Sequence, residues 1–279
     1  MSRIAGVFAA LAETERTALI PYLCAGDPGR EATVPLMHAA VRAGADIIEL
    51  GVPFSDPMAD GPVVQRAAER GVRNGVTLVD VLAMVGEFRR SDASTPVVLM
   101  GYANPVERFE ALHGSFAAAA QRAGVDGVLV VDYPAEESHG YAAALQAVQV
   151  DPIFLVAPTT TAARMKAIAS AASGYIYYVS LRGTTGSSKL DTHDVAASLP
   201  ALRALTGIPI AVGFGIRDAD SARAVAEIAD GVVIGSRLIE EIEAHPGKAA
   251  EAAVEQWLGG IRAALDIAAA EAAPAASAH

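Results

Sequence analysis

Two carboxylates stand where an apolar run ends and a turn-rich segment begins. Glu49 lies within the run Ile47–Leu50, and Asp60 lies near the end of the segment 51–62, which is rich in turn-forming residues. A carboxylate in a buried strand is costly unless it is paired, protonated or open to a cavity. We therefore expect a raised pKa for Glu49, which suits general acid–base catalysis near neutral pH.

Each carboxylate also has a structural interpretation, and the residues alone leave it open. Glu49 is compatible with a salt bridge to a neighbouring strand or with a place at the rim of the fold. Asp60 is compatible with the N-cap of the next helix, because Pro62 would then stand at an early helical position. Asp56 belongs to the same segment, and spacing does not decide which aspartate faces a substrate.

Glycine-rich turns follow three of the later apolar runs. They are the segment 180–189, the triplet Gly213-Phe214-Gly215 and the pair Gly235-Ser236. Glycine lets backbone N–H groups approach an anion, and a helix N-terminus adds its dipole. Together the turns predict a phosphate site, although glycine also serves simply to turn the chain. The triplet lacks the third glycine of a dinucleotide-binding fingerprint.

Other reactive residue types show weaker patterns. The six histidines have no metal-ligand spacing, so we predict no metal site. Cys24 has no evident histidine partner and is interpreted as a small buried hydrophobe at a strand end. Several large side chains could line a pocket for an aromatic ring or simply fill a core: Tyr22, Phe54, Met100, Leu129, Tyr177 and Phe214.

The elements that must position these residues are short apolar runs, often β-branched, that alternate with helical patterns. Near-continuous apolarity is typical of parallel strands covered on both faces. Eight such units predict a (β/α)₈ TIM barrel, in which the site lies at the carboxyl ends of the strands. The runs are Ala18–Leu23, Asp46–Leu50, Pro96–Met100, Gly127–Val131, Ile153–Val156, Tyr175–Val179, Ile208–Val212 and Gly231–Ile234.

Helical patterns complete the predicted barrel. Ile4, Phe8 and Leu11 recur at helical spacing and indicate an extra amphipathic helix at the N-terminus. Extra helices are predicted at Val63–Arg73 and Leu78–Arg90, and a long last helix at Lys248–Ala270. We expect one domain over residues 1–270 and a disordered tail over 271–279. Candidate helix caps are Asp27-Pro28, Thr159–Thr161, Asp191–Asp194 and Asp218.

Composition excludes several classes of function. The chain has 279 residues, a formal charge of −11 and 52% hydrophobic residues, enough to bury a large core. Its 21 basic residues are scattered, which argues against a nucleic-acid partner. No apolar run has the length of a membrane span. The single cysteine fits a reducing compartment, so we expect a cytoplasmic protein.

Four motifs together resemble the tryptophan synthase alpha subunit family. They are Ile48–Pro62, Met100–Pro105, Val131–Pro134 followed by Glu136–Ser138, and Gly213–Ile216. The resemblance runs in the expected order from about Ala18 to Ser236. It implies a TIM barrel that cleaves indole-3-glycerol phosphate to indole and glyceraldehyde 3-phosphate, as a carbon–carbon lyase.

The resemblance also implies a role for each matching residue. Glu49 would be the general acid and base, and Asp60 would bind the indole N1–H and stabilise the charge that develops there. Tyr177 would lie close to Glu49, and Thr185 would belong to a loop, Arg182–Asp191, that closes over the site. The phosphate site would consist of Gly186, Gly215, Gly235 and Ser236. The indole pocket would consist of Tyr22, Met100, Leu129 and Phe214.

Two of the matching positions depart from the family. Tyr22 stands where the family commonly has Phe, and Met100 where Leu is frequent. Both changes keep apolar bulk, so they leave the implied activity in place.

The family further implies a partner. Its members have no cofactor of their own and pair with a pyridoxal-phosphate beta subunit, so we expect an α2β2 heterotetramer. The segments Pro53–Asp60 and Asn104–Phe109 resemble loops of the contact surface.

Other functions stay open at this point. Indole-glycerol-phosphate synthase or a phosphosugar isomerase would need other catalytic groups, typically a strand-end Lys for the synthase, and no run here ends in one. A free-standing lyase and a non-catalytic regulatory partner of the beta subunit are the remaining alternatives.

Overall fold

The computed structural model describes residues 2–179, 192–213 and 215–272, and its strands form one closed parallel barrel. Every predicted run forms a strand, with ends that differ from the prediction by two residues at most, so the (β/α)₈ prediction is confirmed. The strands are β1 (Ala18–Cys24), β2 (Ile48–Gly51), β3 (Val97–Gly101), β4 (Gly127–Val130), β5 (Asp151–Val156), β6 (Ile176–Val179), β7 (Ile210–Gly213) and β8 (Gly231–Ile234).

Helices surround the strands, and the extra helices predicted before β1 and between β2 and β3 are present. Two helices separate β2 from β3, two more separate β3 from β4, and α1 precedes the barrel. The described helices are α1 (Arg3–Glu13), α2 (Thr33–Arg42), α3 (Pro62–Arg73), α4 (Leu78–Phe88), α5 (Ala103–His113), α6 (Phe116–Ala123), α7 (His139–Ala147), α8 (Ala162–Ala171), α9 (Thr192–Arg203), α10 (Ala219–Ala226), α11 (Ser236–Ala244) and α12 (Ala249–Ala272).

Each strand divides its side chains between two cores, because successive residues point to opposite faces. The outward side chains pack against the ring of helices in one large cluster. The inward side chains fill the lumen, and Ile4, Phe8 and Leu11 of α1 join them from below. The amphipathic helix predicted at the N-terminus therefore closes one end of the lumen and leaves the carboxyl ends of the strands for a site.

The predicted caps have mixed outcomes. The Thr161 hydroxyl accepts from the backbone N–H of Arg164, and Asp218 forms a capping box with Ser221, so these two are confirmed. The prediction for Asp27 is wrong, because α2 has Ala32 at its N-cap and the Asp27 carboxylate binds Arg70 instead. The side chains of 191–194 lie outside the described residues.

The last helix, α12, binds the segments that precede β1 and β2. The Arg262 guanidinium in α12 donates to the Thr17 carbonyl and to Asp46 Oδ2, each over 3.1 Å. The helix ends at Ala272, two residues beyond the predicted domain boundary, and residues 273–279 lie outside the described part. In that described part, no helix combines the length and apolarity needed to cross a membrane.

Candidate active site

Glu49 points into the lumen from β2, in register with Tyr22 on one side and Val98 on the other. Its side chain has no exposed surface. The Tyr175 hydroxyl donates to Oε1 over 3.3 Å, while Oε2 has no hydrogen-bond partner among the described residues. The salt-bridge interpretation is therefore wrong, because a phenol and not a cation holds this carboxyl group.

The surroundings of Glu49 raise its pKa to about 8. Burial is the largest cause, since a low-dielectric environment disfavours the charged form. The negative charge of Asp60 raises the pKa further, whereas the hydrogen bond from Tyr175 lowers it. The expected raised pKa is confirmed, and the effect of Asp60 indicates that the two carboxylates are close enough to interact.

Asp60 lies in the segment between β2 and α3 and does not cap the helix. The N-cap of α3 is Gly61, with Pro62 at the first helical position. The Tyr102 hydroxyl donates to Asp60 Oδ2 over 2.9 Å and accepts from the Ala59 N–H over 3.1 Å. The helix-cap interpretation is thus wrong, and the carboxylate is held towards the barrel by a residue just beyond β3.

The other aspartate of the segment is placed differently. Asp56 is exposed and accepts a hydrogen bond only from the neighbouring Ser55 hydroxyl, over 2.6 Å, among the described contacts. Burial raises the pKa of Asp60, and the Tyr102 hydrogen bond opposes that rise. The structure therefore separates two aspartates that spacing alone could not.

Tyr177 shares the lumen with both carboxylates. Burial raises the pKa of its hydroxyl, and the charges of Glu49 and Asp60 raise it further. Its hydroxyl lies over Gly213 of β7, where an added Cβ would come within 2.2 Å of the oxygen. Glycine is therefore required at the end of β7 for this tyrosine to fit.

Two tyrosines that hold the carboxylates were not predicted. Tyr175 stands two residues before Tyr177, and alternation along β6 sends both side chains to the same face. Tyr102 directly follows β3, at the carboxyl end where a barrel carries its site. Both signals were present in the sequence, but neither identified a hydrogen-bond partner 42 or 126 residues away.

The described residues of the predicted pocket line the same region. Met100 and Leu129 belong to the lumen cluster, and Met100 also contacts the cluster that contains Tyr22 and Cys24. The Tyr22 hydroxyl lies over Gly51, where an added Cβ would be 2.1 Å from the oxygen. Phe214, the fourth predicted pocket residue, lies outside the described residues.

Three of the four predicted phosphate-binding residues are among the described residues. Gly235 and Ser236 form the N-cap and first residue of α11, where backbone N–H groups are free and the dipole is positive. Gly215 follows β7 with a φ of +72°. Gly186 and Thr185 lie outside the described residues, as does the predicted loop from Arg182 to Asp191.

Cys24 agrees with its interpretation as a buried residue at a strand end. Cys24 is buried and free, and burial raises the pKa of its thiol, so it is an unreactive strand-end residue. In the described ranges, no group of three or more His, Cys, Asp and Glu residues could hold a metal ion.

The arrangement thus combines a buried carboxyl group with a raised pKa, a second carboxylate held by a phenol, and a helix N-terminus at one barrel mouth. A comparison with family models gives one matching family, described as the tryptophan synthase alpha chain, over residues 8–264. The chain belongs to the tryptophan synthase alpha chain family. Its function is the part of the alpha subunit in tryptophan synthesis, with the lyase activity that the family name implies.

Curated relatives and solved structures agree with this assignment. The chain is 61% identical to the tryptophan synthase alpha chain of Bordetella parapertussis, over 98% of each chain. It is 57% identical to that of Burkholderia thailandensis, over 98% of this chain and 100% of the relative. The crystal structure of the subunit from Legionella pneumophila matches with a TM-score of 0.88 at 44% sequence identity. The match covers 96% of this chain and 99% of that one. The resemblance seen in the four motifs is confirmed.

Proposed function

We propose that this chain cleaves indole-3-glycerol phosphate by a retro-aldol reaction in which Glu49 is both acid and base. The observation that supports this most directly is a carboxyl group with no exposed surface, a pKa of about 8 and one oxygen free of partners among the described residues. Such a group carries a proton at neutral pH and can give it to a bound substrate.

The proton balance of the reaction needs only this one group. Glu49 protonates C3 of the indole ring, which turns the ring into an indoleninium cation. The resulting carboxylate takes the proton of the hydroxyl on the adjacent glycerol carbon. The electron pair of the carbon–carbon bond then returns to the ring, so indole and an aldehyde leave and Glu49 is protonated again.

Asp60 is proposed to stabilise the cation that forms on the ring. Positive charge develops at N1 when C3 is protonated, and an oriented carboxylate lowers the energy of that state. The hydrogen bond from Tyr102 fixes one oxygen of Asp60 and leaves the other to accept from N1–H. Tyr22, Met100, Leu129 and Phe214 are proposed to hold the ring.

The phosphate is proposed to bind at the mouth formed after β6, β7 and β8. Gly235 and Ser236 begin α11, whose first N–H groups have no partner within the helix. Gly215 lies in the neighbouring turn, and Gly186 is assigned to the same site from the family motif. Tyr177, whose hydroxyl interacts with Glu49, completes the proposed catalytic set together with Thr185, which is assigned from the family motif.

Family membership implies a beta subunit partner, and we propose an α2β2 assembly in which that partner carries pyridoxal phosphate. The segments Pro53–Asp60 and Asn104–Phe109 are proposed to form the contact surface. Met58 in the Asp60 segment is 81% exposed, unusual for a large apolar side chain. Asn104–Phe109 was predicted as a loop and is instead part of α5.

The test is indole release from indole-3-glycerol phosphate by wild type, Glu49→Gln and Asp60→Asn, each with and without the beta subunit. We expect near-complete loss of indole release in both variants. Their circular dichroism spectra should match that of wild type, which shows that the fold is kept. Asp56→Asn is the matched control, because it removes a carboxylate from the same segment without contact with Tyr102. Release by Glu49→Gln at the wild-type rate would refute the mechanism.

The same assay separates the alternatives. A free-standing lyase would release indole at full rate without the partner. A non-catalytic regulatory subunit would release none under either condition, while still changing the activity of the beta subunit.

A further inference from the structure

Arg70, near the end of α3, binds two carboxylates that belong to different parts of the chain. Its Nε and Nη2 donate to the two oxygens of Asp27 over 2.5 Å and 2.9 Å, and its Nη1 donates to Glu243 Oε1 over 2.7 Å. A guanidinium can satisfy both at once because its donors form a rigid planar fork. One side chain thus joins α3, the turn after β1 and α11.

The contact with Asp27 anchors the end of α3. The Asp27 side chain is 2% exposed, and a charge buried to this degree is costly without a partner. The Asn74 amide, just beyond the helix, donates to the carbonyls of Gly26 and Pro28 over 2.8 Å and 3.1 Å. The C-terminal end of α3 is therefore fixed to the turn after β1.

The opposite end of α3 carries Asp60. Only Gly61 separates Asp60 from the first helical residue, and the Gln65 amide donates to the Asp60 carbonyl over 2.9 Å. The backbone of Asp60 is thus bound directly to the first turns of the helix. A displacement of α3 would displace the carboxylate.

Glu243 lies on α11, the helix whose first residue is Ser236. The Arg70–Glu243 contact therefore joins the helix behind Asp60 to the helix that begins at the proposed phosphate site. Arg66 also pairs with Glu243, over 3.1 Å, but does not contact Asp27 in the described structure and is half exposed. Arg70 alone of these two is anchored on both sides.

We propose that Arg70 is a positioning residue. It holds Asp60 at a fixed distance and orientation from the N-terminal end of α11, where the phosphate is proposed to bind. The proposal rests on the proposed function, in which one substrate occupies both places. With α3 and α11 held together, a substrate bound by its phosphate presents its ring to Asp60. Without the link each place still binds its part of the substrate, but the two are no longer aligned for reaction.

The test uses the full chain with its beta subunit and compares Arg70→Lys, Glu243→Met and Arg66→Met with wild type. Lysine keeps a positive charge beside buried Asp27 but cannot serve two carboxylates as a fork. Glu243→Met removes the other half of the link and leaves the Asp27 pair intact. Arg66→Met is the matched control, because it removes the exposed pair with the same glutamate.

We expect kcat for indole-3-glycerol phosphate cleavage to fall roughly tenfold in Arg70→Lys and Glu243→Met, because small misplacements of reacting groups lower the rate strongly. KM should stay within about threefold, since neither half-site is removed. Thermal unfolding of Glu243→Met and Arg66→Met should match wild type, and Arg66→Met should match wild type in both constants.

If wild type is active and kcat is unchanged in both Arg70→Lys and Glu243→Met, the inference about Arg70 fails while the proposed function stands. It also fails if the loss appears equally in Arg66→Met, or if it follows the fraction of unfolded protein. An inactive wild type would overturn the proposed function and this inference together, which distinguishes the two failures.

Discussion

Glu49→Gln removes the proposed acid, but its free energy of unfolding should depend less on pH than that of wild type. Relative to wild type, the variant should therefore become more stable as the pH rises. The pKa of Glu49 is about 8 in the folded chain, against an ordinary value of 4.5. A carboxyl group whose pKa is raised by folding favours the folded state below its unfolded pKa. That contribution is lost as the pH rises from 4.5 to about 8, because the unfolded chain gives up its proton first.

The size of the effect follows from these two values. Each pH unit is worth about 1.4 kcal/mol, so ionised Glu49 is destabilised in the site by on the order of 5 kcal/mol. Between about pH 5 and pH 9, wild type should therefore lose about 4 kcal/mol of stability relative to Glu49→Gln. The difference in packing between carboxyl and amide is the same at every pH and does not enter this slope.

The assay is urea unfolding of both proteins at a series of pH values, followed by circular dichroism. Glu137→Gln is the control, because Glu137 is exposed and its replacement should leave the pH dependence of wild type unchanged. Parallel stability curves for wild type and Glu49→Gln would refute the argument, since they would mean that Glu49 ionises in the folded chain as it does in water.

Two further predictions concern the tyrosines that hold the carboxylates, and a third concerns Asp126. Tyr175→Phe removes a hydrogen bond that lowers the pKa of Glu49, so the alkaline limb of indole release should move upward by up to about one pH unit. Tyr102→Phe removes the hydrogen bond that lowers the pKa of Asp60. The acid limb should therefore move upward and kcat should fall about tenfold, which a pH–rate profile measures. Asp126→Asn removes the charge of a buried carboxylate that pairs with Arg89, which is also largely buried, and with the more exposed Arg3. The free energy of unfolding should fall by about 3 kcal/mol in urea, with the kinetic constants of the folded protein unchanged.

The strands could be predicted from sequence because their signal is local. Each run is apolar on both faces and lies between helical patterns, so its position depends on few distant contacts. The ends moved by up to two residues, as at β2, where the predicted start at Asp46 became Ile48. Asp46 instead accepts from the Leu19 N–H and Arg262, which are tertiary contacts that no local pattern contains.

The carboxylates could be predicted as candidates, but their partners could not. Asp27 and Asp60 both precede helical patterns, and the same residue type that caps a helix also forms ion pairs and catalytic sites. What decided between these roles was Arg70, 43 residues from Asp27, and Tyr102, 42 residues from Asp60. Only the closed barrel brings those pairs together.

The pairing of the first strand with the last has a consequence for how the protein is made. β1 meets β8 through four residue pairs, from Ala18–Gly231 to Pro21–Ile234. During translation the backbone groups on that edge of β1 therefore stay unpaired until β8 has been synthesised. An exposed strand edge invites pairing with other chains, so the nascent protein is most prone to aggregation just before its synthesis ends, and truncation ahead of β8 would make that state permanent.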